Sequence, residues 1–150
     1  MSIISNKKFV KDLRVGQEAE KLFMKYLVDY PHMVSLSFSQ GKCTDYDIKM
    51  TTKDKEITYE IKSDTMADKT WNFVIEFRFK WEASWIYESK ADFVVYYIMW
   101  EWRIQKRSEL ILRLWEIEKE IKRWGDWWTS ELYIIKVEKL PELFEKIEMG

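Results

Sequence analysis

Residues 44–64 read TDYDIKMTTKDKEITYEIKSD, two alternating runs on either side of a polar link. Apolar and polar residues alternating with a period of two mark a half-buried strand, and two such runs around a short polar link predict an antiparallel hairpin. In the first run Tyr46, Ile48 and Met50 point one way and Asp45, Asp47 and Lys49 the other. In the second, Ile57, Tyr59 and Ile61 form the apolar face and Thr58, Glu60 and Lys62 the polar one. A turn tip at Lys53-Asp54 sets Asp47 opposite Glu60 and Asp45 opposite Lys62 on one face, with opposed Cβ atoms roughly 4.5–5.5 Å apart. Two carboxylates that close repel unless a cation lies between them. The face therefore predicts a divalent-metal site with a lysine beside it.

Asp47, followed by Glu60-Ile61-Lys62 on the next strand, resembles the D…(D/E)xK core of the PD-(D/E)XK nuclease superfamily. Tyr46 stands where that pattern has proline. Two further stretches extend the resemblance. Gly16…Ala19-Glu20 is similar to the G-x-x-(small)-E setting in which members with an N-terminal helix place a glutamate facing the metal. Asn72 to Glu76, then Ser84-Trp85-Ile86 and Ser89-Lys90-Ala91-Asp92, resemble the N-x-x-I-E…S-G-I…KAD run of small phage and archaeal-virus members, with Trp85 in place of the usual glycine. The resemblance spans about Val15 to Tyr97. It implies a restriction-endonuclease-like core and a viral endonuclease acting on DNA in replication, recombination or host-DNA degradation, with junction resolution among its forms. The rival reading is a nucleic-acid-binding or assembly protein, catalytically weak or inactive, that keeps the fold.

Composition bounds the class. A chain of 150 residues is most simply one domain, 1–150, and is long enough for a real core. Four Gly and two Pro predict long regular elements. The formal net charge of −1 gives no global basic signal, so contact with a polyanion must come from local clusters. A single cysteine, Cys43, excludes an intramolecular disulfide and a cysteine zinc site and fits a reducing compartment. The N-terminus lacks the long apolar core of a signal peptide, and no run approaches the roughly 20 apolar residues of a spanning helix. The expectation is a cytoplasmic protein, in the host cell's cytoplasm if viral, with no membrane partner.

Along the chain, the spacing of Val15, Ala19, Leu22, Phe23, Tyr26 and Leu27 predicts a helix from Lys8 to about Asp29, closed by Pro31. Val34–Ser39 reads as a strand and Gln40-Gly41 as a turn. After the hairpin, Ser63–Thr70 reads as a polar loop and Trp71–Phe79 as a strand whose aromatic face is core. Phe93–Trp102 is rich in β-branched and aromatic residues and reads as one buried strand. Arg107–Trp124 reads as a second helix ended by Gly125, Glu131–Val137 as a strand, and Pro141 as the start of a terminal helix. The sum is α/β in class (α+β by count), with a mixed central sheet flanked by helices.

Phosphodiester hydrolysis needs an activated water, neutralised charge on the phosphate and a stabilised leaving oxygen. Mg²⁺, for which Mn²⁺ substitutes, is held by one or two carboxylates and supplies the first two. Asp47 and Glu60 are the expected ligands, with the carbonyl of Ile61 as a third. Lys62 is expected to orient the attacking water or stabilise the developing charge. Glu20 completes the shell through water or binds a second ion, and Asp45, Asn72 and Glu76 are secondary candidates. DNA phosphates would be met by Lys7, Lys8, Lys11 and Arg14 before the helix and by Lys42, Lys69, Arg78 and Lys80 around the site. The lone histidine, His32, follows Pro31 and leaves His-based zinc and nucleophile–His schemes without parts. No G-x-x-x-x-G-K-[ST] run exists.

Nine Trp leave a surplus. Trp100, Trp102, Trp115, Trp124, Trp127 and Trp128 either stack unpaired bases or form core and a subunit interface. A homodimer burying part of Phe93–Trp102 and Trp124–Trp128 is expected.

Overall fold

A computed structural model describes residues 18–39, 45–80, 82–125 and 129–148. Lys7, Lys8, Lys11, Arg14, Gly16, the Gln40-Gly41 turn, Lys42, Trp127 and Trp128 lie outside the described residues. Among the described residues helix α1 covers 18–28, and Ala19, Phe23 and Leu27, one turn apart, are its buried stripe. After it come β1 (Met33–Phe38), β2 (Ile48–Thr52), β3 (Glu56–Asp64), α2 (Ala67–Thr70), β4 (Asn72–Phe79), β5 (Glu82–Ala83) and α3 (Trp85–Glu88). The second half adds β6 (Phe93–Ile98), β7 (Glu101–Lys106), α4 (Arg107–Glu116), β8 (Glu120–Trp124), β9 (Ser130–Lys136), α5 (Leu140–Leu143) and β10 (Glu145–Ile147).

The centre is a six-stranded mixed sheet, ordered β1-β2-β3-β6-β7-β10, in which β3 and β6 run parallel and the other pairs antiparallel. The expected hairpin is its β2-β3 pair. Thr51 faces Glu56, Met50 faces Ile57 and Ile48 faces Tyr59, which is the register read from the alternation. Ile48, Met50, Tyr59 and Ile61 turn to one side and bury the stripe of α1, with Val95 and Trp102 closing that core. The far side of β6, through Val94, Tyr96 and Ile98, packs against a second core with Phe73, Ile75, Leu110, Leu114 and Ile135. β6 is apolar on both faces because both are covered.

That second core exists because β4 leaves the central sheet. It pairs with β9 and β5 in a separate four-stranded sheet ordered β5-β4-β9-β8, a layer the sequence reading did not separate. Four further expectations are corrected. Residues 107–124 are not one helix: α4 stops at Glu116, Ile117 is extended (φ −73°, ψ 149°), and Glu120–Trp124 pairs along β9 as β8. A partner strand outweighs the weak local helical preference. Residues 93–102 are not one strand. Met99 and Trp100, at φ 53° and 65°, make a two-residue hairpin turn between β6 and β7. Such turns favour Gly or Asn, so this one left no sequence signal. Within the polar loop of 63–70, β3 runs on to Asp64, whose Oδ1 accepts the N–H groups of Met66 and Ala67 and starts α2. The short terminal helix expected from Pro141 stops at Leu143, and Glu145–Ile147 adds to the edge of β7 as β10.

Candidate active site

Three carboxylates and one lysine meet where β2 parts from β3. The β2 ladder begins at Ile48, and Asp47 sits one residue before it. Its carbonyl accepts the Ser39 N–H at 2.9 Å and its N–H donates to the Tyr59 carbonyl at 2.8 Å. Its Oδ2 accepts the Ile61 N–H at 2.7 Å. The side chain thus takes a β3 donor beyond the start of the β2 ladder, and its rotamer is set by the backbone it serves.

Glu60 and Lys62 stand two residues apart on one face of β3. Lys62 Nζ lies 3.4 Å from Glu60 Oε1 and 4.9 Å over the Trp85 ring of α3. Glu60 is only 6% exposed. Burial and the neighbouring Asp47 push its carboxyl up to about 7, against the smaller opposing pulls of Lys62 and Ser89. Asp47 is raised by burial, opposed by the Ile61 N–H and Lys62. Glu20, on α1, is raised by burial and by Asp47 and lowered by Lys62. Each of the three carboxyls is thus linked electrostatically to a neighbour in the group. The Lys62 ammonium is the opposing charge that all three carboxyls share.

Sequence reasoning missed one member. Ser89, 1% exposed, has its hydroxyl 3.0 Å from the Asp45 carbonyl and 3.5 Å from Glu60 Oε2, and it accepts the Ala91 N–H. It lies 29 residues from Glu60 in the chain, so no local pattern marks the pair. Asp92, three residues on, accepts both the N–H and the hydroxyl of Thr58 and locks the start of β6 to β3.

The secondary candidates go elsewhere. Asp45 does not oppose Lys62; its carboxylate pairs with Lys90 at 4.0 Å and its carbonyl accepts the Lys90 N–H. The reason is that Asp45 precedes the β2 ladder, where strand alternation no longer sets direction. Asn72 donates to the Thr70 carbonyl, and Glu76 accepts the hydroxyls of Ser84 and Ser130. Both lie on β4, in the other sheet. Lys69 is exposed on α2. Arg78 pairs with Glu131, and Lys80 packs its ammonium over Phe79. These two sit at the far end of β4, about 20 Å along the strand from Asn72.

Among the described residues no group of three or more His, Cys, Asp or Glu is drawn tightly enough to enclose a metal ion. The donor set nevertheless fits Mg²⁺, which binds through one or two carboxylates and keeps several waters. A cavity of about 510 Å³ opens away from these groups, between α1 and the first half of β3. No helix among the described residues is long and apolar enough to cross a membrane.

No family model matches the chain, and no curated protein matches it in sequence. Solved structures do. The bacterial homing endonuclease I-Ssp6803I aligns over 83% of this chain and 78% of its own, with a TM-score of 0.52 and 16% identity. The Holliday junction resolvase Hjc of the hyperthermophilic archaeon Archaeoglobus fulgidus aligns over 87% and 92%, at 0.46 and 11%. A fusselovirus nuclease aligns over 97% and 88%, at 0.43 and 12%. The likeness to the homing endonuclease is one of fold: a mixed central sheet flanked by helices, as a nuclease core has it.

Proposed function

We propose that this chain is a metal-dependent DNA endonuclease of the PD-(D/E)XK type, from a virus. The observation that carries the reading is the meeting of Asp47, Glu60 and Lys62, on the fold of an endonuclease, with Glu60 pushed to about 7 by burial and by Asp47. A buried carboxyl whose ionisation a neighbouring carboxylate opposes is what a hard cation stabilises.

Asp47 and Glu60, with the Ile61 carbonyl and Glu20, would hold Mg²⁺ or Mn²⁺. When bound, the ion supplies positive charge beside the scissile phosphate. The remaining work falls to the chain. Glu60 fixes the Lys62 ammonium from one side and the Trp85 ring from another, so the ammonium is aimed before substrate arrives. There it hydrogen-bonds the attacking water and meets the negative charge that develops on the phosphate oxygens. Asp47, held by Ile61, keeps its carboxylate in place as the strands part. Ser89 holds Glu60 and the Asp45 loop together.

Cleavage of a labelled DNA duplex with Mg²⁺, set beside binding of the same duplex in EDTA, tests the reading. Metal-dependent strand scission that Asp47→Asn abolishes supports it. Binding without scission supports the rival, a nucleic-acid-binding protein that keeps the fold.

Self-association belongs to this proposal but not to the whole patch expected for it. Trp102 is buried in the α1 core, so the strand it sits on cannot offer it to a partner. We assign the dimer contact to β8, an edge strand exposed at all five residues, with Ile121 and Trp124 on it. An edge with unpaired backbone groups and exposed apolar side chains invites a second strand.

A further inference from the structure

Two exposed tryptophans occupy backbone conformations that suit glycine. Trp71 closes α2 at φ 58° and Trp100 sits in the β6–β7 turn at φ 65°. They are 65% and 77% exposed. A left-handed backbone disfavours any residue with a Cβ, and an exposed indole gains little from burial. Fold stability therefore does not explain either residue, and glycine would serve both positions better.

Trp100 stands at the end of the sheet that carries the active-site groups, and Trp71 closes α2, the helix that follows β3 out of that sheet. Glu60, Lys62 and Asp64 follow one another on one face of β3, and Asp64 pairs with Ile98, the last residue before the Met99-Trp100 turn. Asp64 lies about 7 Å along the strand from Lys62. Asp64, Thr65 and Asp68 share a hollow of about 90 Å³ with Tyr97, Met99 and Trp100. Trp71 follows Asp68 by three residues, at the C-terminal end of the same short helix.

We infer that Trp71 and Trp100 are stacking platforms for unpaired nucleobases beside the scissile phosphate. The inference rests on the nuclease reading and names its substrate class: DNA in which bases near the cut are unpaired, as in a flap or a branch. The charge of the ledge selects bases over phosphates. Carboxylates at Asp64 and Asp68 repel the backbone and accept hydrogen bonds from base amino groups. An aromatic face in turn holds any base, whatever its identity. In intact duplex the base faces are already stacked on each other, so the platforms would have nothing to hold.

The test uses Trp71→Gly, Trp100→Gly and the double variant. The backbone bonds from the Trp71 N–H to Ala67 and from the Val137 N–H to the Trp71 carbonyl need no side chain. Glycine also relieves the left-handed strain, so the variants should melt at or above the temperature of the unaltered protein. Affinities are read in EDTA for a fluorescein-labelled duplex and for the same duplex with a five-nucleotide single-stranded flap. The unaltered protein should prefer the flapped DNA by about tenfold, and the double variant should bring that ratio close to one. A ratio kept by the double variant overturns the inference while leaving the nuclease reading standing. So does a light-scattering mass that falls on Trp100→Gly, since that makes the residue an interface between copies. Failure to bind either DNA overturns both readings together.

Discussion

The Oδ2 of Asp47 accepts the backbone N–H of Ile61 at 2.7 Å. One side chain thus closes a gap in the sheet and presents a carboxylate to the site. Removing it has two separable effects. Asp47→Ala leaves the Ile61 N–H without its partner, at about 1–3 kcal/mol of stability, as well as removing the charge. Asp47→Asn keeps an acceptor oxygen there and removes only the charge. Both should abolish cleavage and the heat of Mn²⁺ binding by calorimetry, but only the alanine variant should melt earlier. Mn²⁺ binding by Asp47→Asn equal to that of the unaltered protein would refute the ligand assignment.

Lys62 is predicted to act on rate. Lys62→Ala should slow cleavage on the order of 10²-fold, with DNA affinity changed far less. Lys62→Arg should not rescue it, because a guanidinium would stay stacked on the Trp85 ring and forked onto Glu60, whereas a compact ammonium can point a donor at a water beside a small ion. Single-turnover rates measure this, and an active alanine variant would remove Lys62 from the mechanism.

The metal-free protein should lose stability as pH rises. Glu60 gives up its proton near 4.5 when unfolded and near 7 when folded. Between those values the unfolded chain binds fewer protons, so unfolding becomes easier with each step upward, and the full loss is present above 7. Asp47 and Glu20 shift the same way and add to the slope. Glu60→Gln should flatten it and gain on the order of 2 kcal/mol at pH 8 in EDTA. Thermal unfolding from pH 5 to 8 reads both, and Mg²⁺ should restore the unaltered protein at high pH. An unchanged slope in Glu60→Gln would show that the carboxyl is not strained.

Ser89→Ala should act through Glu60. The hydroxyl helps to hold the Glu60 carboxyl down, so its loss raises that group further and moves the acidic limb of the pH–rate profile upward. A purely structural role would lower stability and leave the profile in place.

Assembly is predicted to run through β8. Trp124→Glu on the exposed edge should convert a dimer to a monomer of 18.5 kDa by light scattering. A dimer that survives the substitution would place the interface elsewhere.

The hairpin register, the stripe of α1 and the company of Asp47, Glu60 and Lys62 could all be read from the chain. Each depends on a short period, two or near 3.6 residues, that neighbouring residues carry among themselves. The register also turns on one tight link, where a single residue's shift would bury charge. Tertiary structure alone decided that β4 leaves for a second sheet, taking Asn72 and Glu76 with it. It likewise ended α4 at Glu116 so that residues 120–124 could pair with β9, and it brought Ser89 and Trp85 to Glu60 and Lys62. It also folded Phe93–Trp102 back on itself through a turn without glycine, burying Trp102 and exposing Trp100. These outcomes turn on which distant strand supplies hydrogen bonds and which face another layer covers. A local period carries no record of either.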